Sequence, residues 1–193
     1  MNFMKLKHNN NDFFNGPIIF ETNVFKDSRG LFFESWNKKL LNFSLGNDIK
    51  FVQDNISISS RGVIRGIHFQ SPNCQQGKLV RCIKGSIFDV IVDLRVYSKT
   101  FKFWGGIELN SKNNYQLWVP PGFGHGFLSY EDESIIQYKV THFWSKENER
   151  TLIWNDKLIN INWPIIESPY NLSEKDSYGD TLDNLYMKQL LFK

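Results

Sequence analysis

Short runs of β-branched and aromatic residues alternate with turn residues along most of the chain, a spacing that is typical of all-β domains. Lys84-Gly85-Ser86 joins two of these runs and predicts a tight hairpin. Short helices are predicted only at residues 38–43 and 181–191. The predicted strands cover residues 18–20, 31–33, 50–57, 63–70, 79–83, 87–94, 103–109, 115–119, 126–129 and 135–143. Closely spaced antiparallel strands with few helices favour a sandwich or a barrel.

The domain organisation is predicted to be simple. The 193 residues contain no internal repeat and no low-complexity linker, which indicates a single domain over residues 15–193 that ends in a helical tail. The Asn-rich stretch before it, residues 1–14, is predicted to be a loose polar extension. This extension is unlike a signal peptide.

Composition restricts the partners that the protein is expected to have. The net charge is +3 without a basic run, and no apolar stretch approaches transmembrane length, so we expect neither nucleic acid nor a membrane as a partner. Cys74 and Cys82 lack the spacing of metal ligands and need not pair. We therefore expect a soluble protein of the reducing cytoplasm.

The segment from Gly62 to Gln70 is predicted to be a buried strand that carries a histidine. Period-two geometry puts Gly66, His68 and Gln70 on one face of this strand. An ionisable side chain inside an apolar strand costs desolvation energy unless it is paired or used. A single histidine of this kind is more often a hydrogen-bonded core residue than a catalyst, so the segment alone leaves both interpretations open.

A second motif, Pro120-Pro121-Gly122-Phe123-Gly124-His125, fits the Pro-x-Gly-x-x-His signature of cupin-type jelly rolls. A metal-binding cupin would also supply a His-x-His pair and a downstream glutamate to fill the coordination sphere. No His-x-His occurs in the sequence. The motif therefore predicts a cupin-like jelly-roll barrel with short peripheral helices and no metal site.

Several polar residues beside predicted strands suit a partly anionic ligand such as a sugar diphosphate. Each of them alone is equally compatible with a solvated barrel rim. The rings of Phe143 and Trp144 are either core residues or a stacking platform for a base, and Asp176 is by default a surface helix cap. The polar residues are Arg29, Glu34, Gln53, Asn55, Arg65, Lys78 and Arg81.

Taken together, these motifs resemble those of the nucleotide-sugar 3,5-epimerases, the family typified by the dTDP-4-dehydrorhamnose enzymes. The resemblance runs in order from about residue 25 to residue 176, and only the combination of blocks is specific. The matching blocks are residues 25–34, 51–55, 65–70, 76–82, 116–120, 124–127, 138–141 and 154–156. The resemblance implies a jelly-roll enzyme without metal or other cofactor, which acts on a nucleotide-diphospho-4-keto-6-deoxy sugar. Its product is expected to feed cell-surface polysaccharide or a decorated metabolite.

The resemblance also implies roles for individual residues. The C-4 ketone acidifies the hydrogens at C-3 and C-5, so inversion needs a base, an acid across the ring and a group that stabilises the enolate. By position, His68 is the base, Asp176 orients it, Tyr138 is the acid and Lys78 stabilises the enolate, with Asp89 holding Lys78. The implied substrate-binding residues are Arg29, Glu34, Gln53, Asn55, Arg65, His125, Trp144, Glu149 and Lys175.

The family's homodimers exchange an N-terminal strand, which implies that Arg29 reaches the neighbouring subunit's site. A regular strand would put Arg65 and His68 on opposite faces although both are expected to meet one ligand. We therefore predict a bulge or kink at Gly66. The alternative is that Arg65 serves a site shared across the dimer.

Three alternatives stay open beside a 3,5-epimerase that inverts C-3, C-5 or both. One is a C-3-only epimerase on a CDP-linked sugar, and the second is a sugar-nucleotide 3,4-ketoisomerase. The third is a non-catalytic sugar-binding cupin, in which His68 and Tyr138 would only hydrogen-bond the ligand. The sequence leaves the nucleotide open among dTDP, CDP and GDP, because every base offers a π-face to Trp144.

Overall fold

The computed structural model describes residues 2–193 and contains thirteen strands and three short helices in that part of the chain. The strands are β1 (Asn2–Lys7), β2 (Phe13–Glu21), β3 (Phe25–Asp27), β4 (Gly30–Phe32), β5 (Gln53–Ser59), β6 (Ile64–Gln70), β7 (Lys78–Lys84), β8 (Ser86–Asp93), β9 (Trp104–Asn110), β10 (Tyr115–Val119), β11 (Phe123–Ser129), β12 (Ser134–Val140) and β13 (Glu149–Thr151). The helices are α1 (Lys38–Leu45), α2 (Glu174–Ser177) and α3 (Leu182–Met187).

Two antiparallel sheets form the body of the protein. One has six strands in the order β1-β2-β10-β7-β12-β5, and the other has five in the order β13-β6-β11-β8-β9. Neighbours within each sheet are mostly distant in sequence, as in a jelly roll. The strands β3 and β4 form a separate two-stranded hairpin. The prediction of an all-β jelly roll with few short helices is confirmed, although the two sheets do not close into one continuous barrel.

Strand β8 is buried on both faces, and this explains where the C-terminal segment lies. Ile87 and Ile91 of β8 pack between the two sheets. Val90 and Val92, on the other face, pack in a second cluster with Leu185 and other residues of the C-terminal segment. A strand that is apolar on both faces needs a cover on its outer side, because exposed valines lose the hydrophobic gain of burial. The C-terminal segment supplies that cover and carries α2 towards β6.

The N-terminal stretch differs from the expected loose extension. Residues 2–7 form β1, which pairs antiparallel with β2 at the edge of the six-stranded sheet. The side chains of Leu6 and Phe14 are buried in the core between the sheets. The expectation of a loose tail was wrong because the Asn-rich turn at residues 9–11 connects two strands, β1 before it and β2 after it, instead of belonging to a disordered segment.

Helices α1 and α3 are close to the predicted positions but differ in length, and α2 was not predicted. α1 extends two residues past the predicted segment and ends at Gly46, whose φ of 68° is the left-handed conformation that glycine adopts readily at a helix C-terminus. The predicted C-terminal helix is shorter, because α3 stops at Met187. Among residues 2–193, no helix is long and apolar enough to cross a membrane.

Candidate active site

A cavity of about 350 Å³ opens between the two sheets. Strands β5, β7 and β12 of the six-stranded sheet line one side of it, and β6 and β13 of the five-stranded sheet line the other. The lining residues are Gln53, Asn55, His68, Phe69, Gln70, Gln76, Lys78, Tyr138, Trp144 and Glu149. The fold therefore gathers most of the predicted site residues around a single cavity.

His68 and Asp176, which are 108 positions apart, form a short hydrogen bond of 2.5 Å between Nε2 and Oδ1. Ser173, the residue that caps α2, donates its hydroxyl to the other carboxylate oxygen at 2.9 Å. Burial opposes the ionisation of Asp176, but the hydrogen bonds from His68 and Ser173 outweigh it and lower the pKa of Asp176 below its usual value. An ionised Asp176 accepts the Nε2 proton and leaves the lone pair on Nδ1 of a neutral imidazole.

The protonation state of His68 suits a base. Burial of the imidazole lowers the pKa of His68 below 6.5, and the nearby carboxylate of Asp176 only partly opposes this. The ring is therefore mostly neutral at pH 7, and Asp176 stabilises the imidazolium once a proton is taken up.

Lys78 is a buried cation beside this pair. Its Nζ atom lies 3.4 Å from the backbone oxygen of His68. Burial lowers the pKa of Lys78 to about 8, while the carboxylates of Asp89 and Glu149 oppose this by favouring the charged form. Asp89 is fully buried and is bonded to His125, with 2.9 Å between Oδ1 and Nε2. Lys78 is thus a cation that neighbouring negative charge maintains near pH 7.

The predicted bulge at Gly66 is confirmed. β6 and β11 pair regularly at His68 and at Arg65, but Gly66 and Ile67 together face only Gly126. Gly66 has a φ of +129°, and a Cβ atom there would lie 2.5 Å from the Cα of Gly126. Arg65 points to the opposite sheet, where its Nε donates to the hydroxyl of Ser59 on β5 at 3.1 Å, but it does not line the cavity.

Tyr138 faces the cavity from the opposite sheet. It lies on β12, between β5 and β7, whereas His68 lies on β6 of the other sheet. Burial raises the pKa of Tyr138 above 10, and the positive charge of Arg65 partly opposes this. Tyr138 is therefore protonated at neutral pH, so a neutral base and a proton donor face each other across the cavity.

Hydrogen bonds and an ion pair connect the residues around the outer part of the cavity. The backbone N–H of Trp144 donates to Gln53 Oε1 at 3.0 Å, and the amide of Gln53 donates to Asn55 at 2.8 Å. The indole of Trp144 is half exposed, at 52%. Lys175, next to Asp176 on α2, forms an ion pair of 3.0 Å with Glu149. This end of the cavity offers a flat aromatic surface together with a cation and amides.

Comparison with known proteins agrees with this geometry. A family model described as dTDP-4-dehydrorhamnose 3,5-epimerase matches residues 13–184. The chain belongs to the dTDP-4-dehydrorhamnose 3,5-epimerase family. The resemblance drawn from the sequence motifs is thereby confirmed, and the chain is an isomerase of the epimerase class.

Individual members of the family extend the comparison. A dTDP-4-dehydrorhamnose 3,5-epimerase of Shigella flexneri is 49% identical over 162 residues, which cover 84% of this chain and 88% of that protein. A crystal structure of the Legionella pneumophila dTDP-6-deoxy-D-glucose-3,5-epimerase in complex with dTDP-4-keto-L-rhamnose is 35% identical, with a TM-score of 0.91, and covers 100% of this chain and 99% of that one. A 3'-monoepimerase from Streptomyces bikiniensis in complex with dTDP-quinovose is 29% identical, with a TM-score of 0.86, and covers 92% and 89%.

Some residues expected at the site lie outside this protomer's cavity lining. Arg29 is at the tip of the β3–β4 hairpin, where it pairs with Asp27 at 2.6 Å and is largely exposed. Glu34 follows the hairpin and accepts a hydrogen bond from Asn37 at 3.3 Å. His125 is buried beneath the cavity, where it is bonded to Asp89. Within residues 2–193, no three His, Cys, Asp or Glu side chains converge in a group that could hold a metal ion.

Sequence reasoning missed three polar residues that the structure brings into the site. Gln70 and Gln76 line the cavity, and Ser173 holds Asp176. The sequence contains a pattern that could have indicated each of these three residues. Gln70 shares a predicted strand face with His68, Gln76 lies two positions before Lys78, and Ser173 begins a Ser-x-x-Asp pattern that is typical of a helix N-terminus.

We expect the titration of His68 and Lys78 to determine the pH dependence of activity. A base must be neutral to accept a proton, and the lowered pKa of His68 keeps its ring mostly neutral at pH 7, so we expect activity to fall in acid, below pH 6.5. Lys78 is charged below its pKa of about 8 and neutral above it, so activity falls as the pH rises through that value. A plot of the logarithm of kcat/KM against pH should therefore fall on both sides of a maximum, with an acid limb from His68 and an alkaline limb from Lys78. Lys78→Arg, although slower, should lose the alkaline limb near pH 8, because arginine stays charged; an unchanged alkaline limb in that variant would assign it to another group.

Proposed function

We propose that this protein inverts C-3 and C-5 of a dTDP-linked 4-keto-6-deoxy sugar, with His68 as base and Tyr138 as acid. The observation that carries the proposal is a neutral histidine and a protonated tyrosine that face one cavity from opposite sheets. The buried cation of Lys78 lines the same cavity. The epimerase names of its relatives and the dTDP sugar bound in the Legionella pneumophila structure support the choice of substrate.

The reaction consists of two proton transfers at each carbon. His68 removes the proton next to the C-4 ketone, and the electron pair of the C–H bond moves into an enolate whose oxygen the ammonium of Lys78 stabilises. Tyr138 then returns a proton to the carbon from the opposite face, which inverts the centre. The imidazolium loses its proton to solvent and the tyrosinate gains one, so the enzyme is restored and no atom is gained or lost overall.

The outer part of the cavity is proposed to bind the nucleotide. The exposed indole of Trp144 offers a stacking surface for the thymine base. Arg65 and Lys175 supply positive charge for the diphosphate, whereas Gln53, Asn55 and Glu149 supply polar contacts. His125 contributes from below by holding Asp89, and the negative charge of that pair favours the ammonium form of Lys78.

A homodimer with exchanged N-terminal hairpins is the proposed assembly. Phe25, Leu31 and Phe32 of the β3–β4 hairpin are 64%, 56% and 69% exposed, although residues of this kind are normally buried. Ile56 and Ile58 are exposed on one face of the edge strand β5, and Gln53 and Asn55 on its other face line the cavity. A hairpin of one protomer seated along β5 of its partner would cover both apolar surfaces and carry Arg29 and Glu34 to the partner's cavity.

The cytoplasm is the proposed location of the reaction. Cys74 and Cys82 are both free thiols, and Cys82 is buried. Free thiols persist in a reducing compartment, which supports this proposal.

Proton NMR in D₂O with dTDP-4-keto-6-deoxyglucose tests the proposed reaction. Deuterium that enters both C-3 and C-5 supports the double epimerase. Deuterium at C-3 alone would replace it by a single-centre epimerase, an activity named for the Streptomyces bikiniensis relative. If neither centre exchanges, the same assay with CDP- and GDP-linked sugars separates a different nucleotide preference from a non-catalytic binding protein.

Subunit complementation tests the exchanged dimer. We expect that Arg29→Ala and His68→Asn are each severely impaired as homodimers, but that mixing them after partial unfolding restores activity. A mixed dimer contains one site with an intact His68 from one subunit and an intact Arg29 from the other, so random mixing recovers about a quarter of the wild-type activity. A mixture of Lys78→Met with His68→Asn is the matched control, because both residues belong to the same protomer's cavity. Recovery only in the control, or in neither mixture, would contradict the exchange.

A further inference from the structure

Gln70 is a buried amide whose hydrogen-bonding groups are all occupied. It is the last residue of β6, two positions after His68, and only 3% of its surface is exposed. Its Nε2 group donates to the backbone oxygens of Cys74 at 2.8 Å and Phe143 at 3.2 Å. Its Oε1 atom accepts from the backbone N–H of Ser145 at 2.6 Å. Both amide hydrogens are therefore used within the protein, and none is left for a ligand.

The partners of Gln70 lie on the two peptide groups that flank Trp144. Phe143 O precedes the indole-bearing residue and Ser145 N follows it, so one side chain holds the backbone on both sides of Trp144. The N–H of Trp144 itself is held from the other sheet by Gln53. The loop of residues 141–148, here called the Trp144 loop, is thus hydrogen-bonded to both sheets, to β6 through Gln70 and to β5 through Gln53.

The third partner of Gln70 ties in a second loop. Cys74 belongs to the turn at Pro72–Cys74, and two residues later Gln76 lines the cavity. Gln76 in turn donates to the backbone oxygen of His142 at 2.6 Å, on the Trp144 loop. The side chain of Gln70 therefore fixes two loops relative to the strand that carries His68.

We infer that Gln70 is a positioning residue that sets Trp144 at the correct distance from His68 for a bound sugar nucleotide. This inference rests on the proposed function, because it takes Trp144 as the surface on which the base stacks. An indole that is half exposed has little packing of its own to hold it, so the backbone clamp determines its position. Stacking of a base on an aromatic ring strengthens nucleotide binding, and a displaced ring loses most of that contribution.

The test uses Gln70→Glu, which keeps the size of the side chain and one acceptor oxygen. The variant loses both donors and sets a carboxylate against the carbonyls of Cys74 and Phe143. We expect the KM for the sugar nucleotide and the Kd for dTDP to rise about tenfold while kcat stays within about twofold. Ser129→Ala is the matched control, because it removes the hydrogen bond from a buried hydroxyl to the backbone oxygen of Glu131 at the other end of the same sheet. It should lower thermal stability and leave KM unchanged.

A double-mutant cycle separates positioning from a general loss of structure. In a Trp144→Ala background, Gln70→Glu should raise KM by less than about twofold further, because the ring that it positions is already absent. Additive effects, a fall in kcat at unchanged KM, or the same rise in Ser129→Ala would each overturn the inference. If Gln70→Glu does not fold, Gln70→Asn, whose amide is one methylene shorter, takes its place in the cycle. Wild-type protein that neither binds dTDP nor exchanges deuterium would overturn the proposed function itself.

Discussion

Replacement of His68 by asparagine is expected to lower deuterium exchange at every sugar carbon by about three orders of magnitude. Asparagine ends about where Nδ1 of the imidazole lies and is too short to replace the Nε2 atom that bonds Asp176, so the variant loses both the base and the contact between β6 and α2 that spans 108 positions. It provides no base, because an amide nitrogen does not accept a proton at neutral pH. The measurement is proton NMR in D₂O with the sugar nucleotide, with exchange at C-3 and C-5 followed separately.

The binding of dTDP to His68→Asn should stay within about twofold of wild type, because the proposed nucleotide contacts lie at the Trp144 end of the cavity. Asp176→Asn is the informative companion. It leaves His68 in place but removes the carboxylate that holds Nε2–H and stabilises the imidazolium, so exchange should fall less than in His68→Asn. Rapid exchange in His68→Asn would remove His68 from the role of base and leave the cavity without its proposed first step.

The second large effect is expected for Tyr138→Phe, which removes a single oxygen atom. Proton abstraction by His68 persists, so deuterium still enters the substrate with retention when His68 returns it to the same face. Inversion needs a donor on the opposite sheet, and the rate of formation of the inverted sugar should fall by about two to three orders of magnitude. The ratio of exchange to inversion, measured in one NMR time course, reports this separation directly.

Tyr115→Phe is the matched control for the tyrosine. Tyr115 lies on β10 of the same sheet, packs against the core and does not line the cavity. Both variants lose one phenolic oxygen, but only Tyr138→Phe should change the ratio of exchange to inversion. Equal inversion rates in wild type and Tyr138→Phe would assign the proton donor to another group, and a similar change in Tyr115→Phe would point to a general effect on the sheet.

Much of the fold was predictable because it depends on local rules. The alternation of apolar and turn residues marked most of the strands, and the glycines around Arg65 indicated the bulge that the β6–β11 pairing contains. The stretch that misled most was residues 2–7, whose short apolar pattern was masked by the polar residues that follow. A six-residue edge strand owes its stability to the neighbour with which it pairs, and local composition does not report that neighbour.

The sequence by itself determined the chemistry that the site contains. The motifs around His68, Lys78 and Tyr138 supplied an imidazole, an ammonium and a phenol, and their order along the chain identified the family. Side-chain chemistry of this kind is a property of residue types and can be read without coordinates.

Only the tertiary structure decided how that chemistry is arranged. The C-terminal segment packs on the outer face of β8 and thereby brings α2 to His68. The pairing of β12 within the other sheet places Tyr138 on the opposite side of the cavity. The clamp of Gln70 on the backbone either side of Trp144 involves peptide groups about 75 positions away, which no local pattern encodes. Proton transfer and stacking depend on distances within a few ångströms, and those distances are produced by the packing of segments that are remote in the chain.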